Sequence, residues 1–217
     1  MKKPTLYKQI ALAAIACVLV VPTLRADTYV TNLADTTTSY FSMNSTGQPD
    51  WVASQFTTDA SATSFTLSSV SIYIYDTVSP GSPFSVQVFS NVAGAPGSAL
   101  GTLSGNSAPP IAGTYTYTAT GISLNSSTSY WVVAELTGGS TYRWASTTDA
   151  ATGTWTIVPD VLISSDSGTV WTAPLTSPGS MQYDVVAEAV PEPSTYAMLG
   201  LGIPAMLGAM RLRQRRA

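Results

Sequence analysis

The chain has no histidine, a single cysteine and no lysine beyond Lys8. Each absence removes a class of chemistry. Without histidine there is no Ser–His or Cys–His nucleophile pair, and the commonest zinc ligand is missing. Without lysine in the body of the chain, Schiff-base and lysine-base catalysis are excluded there. Cys17 lies inside the apolar run Ile10–Val21. If that run is removed on secretion, the mature protein has no disulfide and no thiol chemistry, and its fold rests on its core alone. Helical periodicity is nearly absent between residues 27 and 190. No glycine-rich loop joins a strand to a helix, so nucleotide binding lacks its usual frame.

Positive charge is scarce in the middle and concentrated at the ends. Lys2, Lys3, Lys8 and Arg25 open the chain, Arg211, Arg213, Arg215 and Arg216 close it, and only Arg143 lies between. Eleven of the twelve acids fall between Asp27 and Val190. That span therefore carries a net charge near −10. It has no basic patch for phosphates, which excludes nucleic acid as a partner. It is also repelled by anionic lipid and anionic polysaccharide unless divalent cations bridge them.

The two ends explain the segregated charge. Lysines, an apolar run, the breaker Pro22 and Leu24-Arg25-Ala26 have the order of a secretory signal peptide, with a cut expected at Ala26/Asp27. This assigns residues 1–26 to a signal helix read by signal peptidase and the secretion machinery. At the other end, Pro191-Glu192-Pro193 precedes an apolar stretch over 196–210 and then the four arginines. Fifteen helical residues span about 22 Å, short of a hydrocarbon core of roughly 30 Å. Gly200, Gly202, Pro204 and Gly208 weaken the helix further. The arginines act as a membrane stop on the cytoplasmic side, and the N-terminal lysines hold the other end there too. A short, glycine-rich, arginine-stopped helix suits a temporary anchor, and the intervening domain is expected outside the membrane.

The body reads as all-β. Short runs rich in Val, Ile, Thr, Tyr and Trp alternate with Gly, Pro, Asn and Ser. Strands are predicted over Trp51–Thr57, Ser64–Tyr75, Phe84–Ser90, Thr114–Thr120, Ser129–Leu136, Thr141–Ser146, Thr154–Val158, Thr169–Thr172 and Met181–Glu188. Turns are expected over Ser79–Pro83, Asn91–Gly97 and Gly105–Gly113. Such a pattern predicts an antiparallel, jelly-roll-like β-sandwich over 27–187, with a short linker near Ala187–Val190 and a sorting segment over 188–217. Ser129–Leu136 is apolar on both faces, as in a central strand. In Thr114–Thr120 the threonines share one face, and Tyr115 and Tyr117 are expected to face the core. One threonine row is not an ice-binding array, and threonine is common on the wet face of a strand.

Val190-Pro191-Glu192-Pro193-Ser194, the apolar helix and the arginine-rich end resemble the PEP-CTERM sorting signal of Gram-negative bacteria, a module also labelled an ice-binding protein C-terminal domain. The resemblance implies exosortase as a partner that recognises Pro191, Glu192 and Pro193 and releases or transfers the protein to the envelope, surface or extracellular matrix. Proline fixes φ and removes an amide donor, so the motif stays extended and unpaired, as a protease cleft requires. A second resemblance spans residues 50–150. Pro96-Gly97-Ser98-Ala99-Leu100, Tyr115-Thr116-Tyr117-Thr118-Ala119, Leu124-Asn125 through Ser129-Tyr130-Trp131-Val132-Val133, and Tyr142-Arg143-Trp144 are similar to choice-of-anchor surface domains. That family implies a surface or matrix protein and supplies no catalytic residue.

The expectation for the domain is a non-enzymatic structural or adhesive role without a required cofactor. The rival is a carbohydrate-binding module for exopolysaccharide, with Trp144 and Arg143, or Trp155, as the stacking platform. Calcium would need several converging oxygens, and Asp149, Asp160 and Asp166 in neighbouring loop-like stretches are the candidates. A glycan hydrolase would need two carboxylates, and Glu135 is the single best candidate.

Overall fold

The computed structural model describes residues 25–44, 51–79, 83–137, 139–174 and 179–190. The signal helix, the Pro191–Pro193 motif, the helix over 196–210 and the terminal arginines lie outside the described residues. Among those described, every regular element is a strand: β1 (Asp27–Thr31), β2 (Ser39–Asn44), β3 (Trp51–Thr57), β4 (Ser64–Ser79), β5 (Phe84–Val92), β6 (Ala95–Thr102), β7 (Gly113–Thr118), β8 (Ser123–Asn125), β9 (Ser129–Leu136), β10 (Thr141–Thr147), β11 (Thr152–Gly153), β12 (Thr156–Ser164), β13 (Ser180–Met181) and β14 (Tyr183–Val190). They form two sheets whose pairings are all antiparallel.

The larger sheet is built along β4. On one edge β4 pairs with β14 and then with β10; on the other it pairs with β7 and β8. Beyond β14 lie β1 and β11, and beyond β10 lie β2 and β13. The smaller sheet has the order β12-β3-β9-β5-β6. The two inner faces share one core, in which Phe65, Leu67, Ile72, Trp144 and Tyr183 from the first meet Phe56, Phe84, Val86 and Val132 from the second. This layering is consistent with the β-sandwich expected from the alternating pattern. Residues Ala26–Val190 make one compact unit.

Aromatic rings join the layers. Trp155 stacks on Tyr29 at 4.6 Å and on Phe56 at 5.7 Å, with Phe65 edge-on at 4.9 Å. Each such ring buries about 150–250 Å², a gross contribution of roughly 4–6 kcal/mol. The Tyr183 hydroxyl donates across the core to the Gln55 carbonyl at 2.9 Å. Gln182 occupies the break between β13 and β14. Its amide donates to Ala145 O, and its carbonyl accepts from Tyr73 N and Trp144 Nε1. Its side chain donates to Asn32 O and Asp35 O and accepts from Thr37 Oγ1. A fully buried amide is tolerated there because its polar atoms are partnered.

The structure departs from the expected elements at several points. β1 and β2 were not anticipated, since their short runs gain stability only from long-range partners. The segment around Pro96-Gly97 is strand β6 and not a turn; the chain reverses at Ala93-Gly94, both at positive φ, one step earlier. Pro96 is tolerated because β6 is an edge strand and the missing donor interrupts no ladder. β12 starts later than expected and runs through Pro159-Asp160 by a bulge between Val158 and Val161. Thr169–Thr172 is no strand; Thr172 makes one isolated bridge to Ile163. Ala187–Val190, expected as a linker, is strand. Ala187 is fully buried, and β14 stays paired with β4 until Val190 meets Ser64.

β1 begins at Asp27, the residue after the expected signal cut, and Asp27 pairs with Ala187. Since β1 and β14 are antiparallel neighbours, the first and last residues of the unit leave the same end of the sheet.

Candidate functional site

Strand alternation decides which of the candidate residues meet solvent. Arg143 and Trp144 are consecutive in β10 and so face opposite sides of the sheet. Arg143 lies on the outer face in register with Ser42 of β2 and Asp76 of β4. Its Nη1 donates to Asp76 Oδ2 at 3.0 Å, and its guanidinium sits 4.7 Å from the centre of the Tyr40 ring. Tyr40 stacks on Tyr75, centroids 5.1 Å apart and planes inclined by 16°. Tyr40 is in β2 and Tyr75 in β4, with β10 between. The intervening Ala145 pairs with Tyr40 and is fully buried, so its small side chain leaves room for the flanking rings to meet above the middle strand. Both tyrosines remain open to solvent, Tyr40 at 40% and Tyr75 at 44%. The only base between Asp27 and Val190 is thus built into an exposed stack of two aromatic rings, held by one carboxylate.

Trp144 is 0% exposed and donates Nε1–H to the Gln182 carbonyl at 2.9 Å. It offers no face to a sugar ring. Trp155 is 2% exposed and is committed to the stack with Tyr29 and Phe56. The expected platform of Trp144 or Trp155 is therefore corrected: both are core residues, as a large aromatic in a small all-β domain usually is. A cleft of about 450 Å³ does run past Trp155 and Asp149, but besides Ile157 and Pro159 its walls are short side chains such as Ala151, Thr154, Thr156 and Ser180.

Asp149, Asp160 and Asp166 do not converge. Among the described residues no group of three or more metal-ligating side chains is gathered anywhere. Asp149 follows the end of β10, Asp160 sits in the β12 bulge, and Asp166 closes a local turn. Asp166 Oδ1 accepts from Ser164 Oγ at 2.7 Å and from the Val170 amide at 2.9 Å. The Ser164 hydroxyl first, then the Val170 amide, hold its pKa below the ordinary carboxylate value.

Glu135 is 4% exposed, on the outer face of the smaller sheet. Burial pushes its pKa up, and hydrogen bonding from Gln87 and Ser85 offsets this only in part. Its cross-strand neighbours are Trp51 and Ser85, neither of them an acid. The same face carries a second apolar cluster. Phe89, Trp131, Val133 and Ala53 are buried there, with Trp51, Leu162 and Trp171 packed on them. Trp51 lies 6.3 Å from both Phe89 and Trp171, and Gly168, at φ +81°, fits where a Cβ would come within 2.5 Å of the indole. The chain after β12 thus covers this face with its own residues.

Tyr40 and Tyr75 escaped the sequence reading for different reasons. Tyr40 belongs to a strand that was not expected. Tyr75 ended an expected strand, and nothing local showed that the two meet across β10. The opposite parity of Arg143 and Trp144 was the one legible hint.

Residues 189–216 match the family described as the PEP-CTERM protein-sorting motif. No curated protein matches the chain. The motif implies export to the cell envelope or surface of a bacterium and sorting by exosortase. The match begins at Ala189, two residues inside the end of β14.

Proposed function

We propose that the chain is a secreted, non-enzymatic structural or adhesive protein of a Gram-negative surface or extracellular matrix, held briefly by its C-terminal helix and released when exosortase cuts at Pro191–Pro193. The observation that carries this is the junction at Val190. The last strand is hydrogen-bonded to its end, and the proline motif follows at once. A cut within the motif separates helix and arginines from the domain without breaking a ladder bond. Equally, a cut at Ala26/Asp27 leaves β1 whole.

The non-enzymatic part rests on chemistry. Residues 27–190 contain neither histidine nor lysine. Glu135 and Asp166 are tied to their own sheet or turn by hydrogen bonds. The resemblance of residues 50–150 to choice-of-anchor domains supports the same role. In the producing bacterium, replacing Pro191-Glu192-Pro193 by three alanines is expected to leave the protein in the membrane fraction at its uncut mass. Unchanged release and unchanged size would overturn the sorting mechanism.

A further inference from the structure

We propose that Tyr40 and Tyr75 form the stacking platform of a binding site for a neutral hexopyranose glycan, with Asp76 and Arg143 as its hydrogen-bonding groups. The site begins with exposure. Aromatic rings on a small β domain are normally buried, and the wet face of a sheet is normally threonine, serine or charge. Here two rings are stacked nearly parallel in the open, and their geometry is set by three hydrogen-bonded strands rather than by a loop. Tyr75 stacks on Tyr40 and is still 44% exposed, which leaves ring surface for a ligand. A pyranose presents an apolar C–H face to such a ring and a rim of hydroxyls around it. Asp76 follows Tyr75 in β4 and Arg143 lies over the Tyr40 ring, so these side chains, 46% and 31% exposed, flank the stack. The carboxylate accepts from hydroxyls and the guanidinium donates to them. Among the described residues Arg143 uses only Nη1 on Asp76, so it retains donors for a ligand oxygen.

Charge selects the occupant. The domain carries eleven acids against one base, and that base already has its partner. A polyuronate or a nucleic acid would meet net repulsion with no free cation to offset it. A second copy of the chain would bring the same acidic surface against this one. A neutral hexose polymer escapes both penalties and uses the aromatic area that the others would waste. The proposal deepens the matrix reading, but its test does not depend on cleavage of the tail, so either can fail alone.

The test uses the full-length chain in detergent micelles, titrated with the neutral hexaoses of a β-1,4-glucan, a β-1,3-glucan and a β-1,4-mannan, and with hexagalacturonate as the anionic contrast. At least one neutral hexaose is expected to bind saturably and more tightly than hexagalacturonate. Tyr75→Ala and Tyr40→Ala should each weaken it at least about tenfold, the loss of one good contact, while Tyr75→Phe stays within about twofold. Should Tyr40→Ala on its edge strand fail to fold, Tyr75→Ala and Asp76→Asn, compared at unchanged melting temperature, carry the test. The proposal is overturned if no neutral hexaose binds, if folded Tyr75→Ala binds as the parent does, or if hexagalacturonate binds best. Loss of binding in Trp171→Ala but not Tyr75→Ala would move the site to the other sheet and equally sink it.

Discussion

Arg143 and Trp144 are adjacent in sequence and lie on opposite sides of one strand: the guanidinium on the exposed Tyr40 ring, the indole buried and bonded to Gln182. Removing each side chain therefore has a different consequence. Trp144→Ala opens a cavity in the shared core and removes one of the two donors to the Gln182 carbonyl, which predicts a loss of about 3–5 kcal/mol. Arg143→Ala removes a partly solvated ion pair and one ring contact, predicting a change within about 1 kcal/mol. Urea unfolding of the two variants side by side checks the contrast; equal effects would mean the parity has been read wrongly.

Gly153, at φ +127°, lies against Tyr29, where a Cβ would come within 2.1 Å of the Tyr29 carbonyl oxygen. That carbonyl accepts from the amides of both Thr154 and Trp155. Gly153→Ala must therefore shift backbone and not only a side chain. A destabilisation of about 2–3 kcal/mol is expected, lowering the melting temperature by roughly 4–10 °C. Gly94→Ala, at a positive φ with nothing within 4 Å, should cost less in the same melting experiment.

Glu135 gives a pH signature. Burial raises its folded-state pKa above the ordinary glutamate value, so between those two values the folded protein holds a proton that the unfolded chain has lost. Its contribution is thus favourable at low pH and is lost as pH rises through the folded value. Asp184, also raised by burial with Ser71 hydrogen bonds opposing, acts in the same direction. Glu135→Gln is expected to raise stability at pH 7 by about 1 kcal/mol, the scale of a poorly satisfied buried group. The gain should shrink to nothing below pH 4. Melting curves across pH 3–8 decide it; an equal effect at both ends would rule out ionisation as the cause.

Glu188, Ala189 and Val190 pair with Thr66, Phe65 and Ser64. A fragment ending at Val190 should match the stability of the domain in the intact chain. A fragment ending at Ala187 loses this last stretch of ladder and should be weaker by about 2 kcal/mol. Equal stability of the two would restore a linker at Ala187–Val190.

These contrasts also show what was legible beforehand. β3 and β9 have the expected bounds because their apolar runs are long and bounded by turn residues, and β9 is buried on both faces as its composition implied. Tyr117 is in the core and its threonine neighbours are outside, as alternation required. β6 was hidden because Pro96-Gly97 carries the chemistry of a turn, and only the position of the strand at a sheet edge makes it tolerable. β1 and β2 were hidden because five or six residues gain a ladder only from partners about a hundred residues away or more. The aromatic platform shares that cause. Side-chain parity follows from local pattern, but the meeting of Tyr40 with Tyr75 depends on which strands flank β10, and no local pattern carries that.

The pairing of β14 up to Val190 has a mechanical meaning. On the proposed reading, in which the segment after Val190 is held in a membrane, a load on the domain enters it at Val190, the end of β14. Antiparallel ladder bonds lie across the strand direction, to β4 along the whole strand and to β1 over Asp184–Ala187. A load directed along β14 is shared by these bonds in shear and does not peel them one at a time. Under the proposed anchoring, the domain is held through a strand that is paired along its whole length.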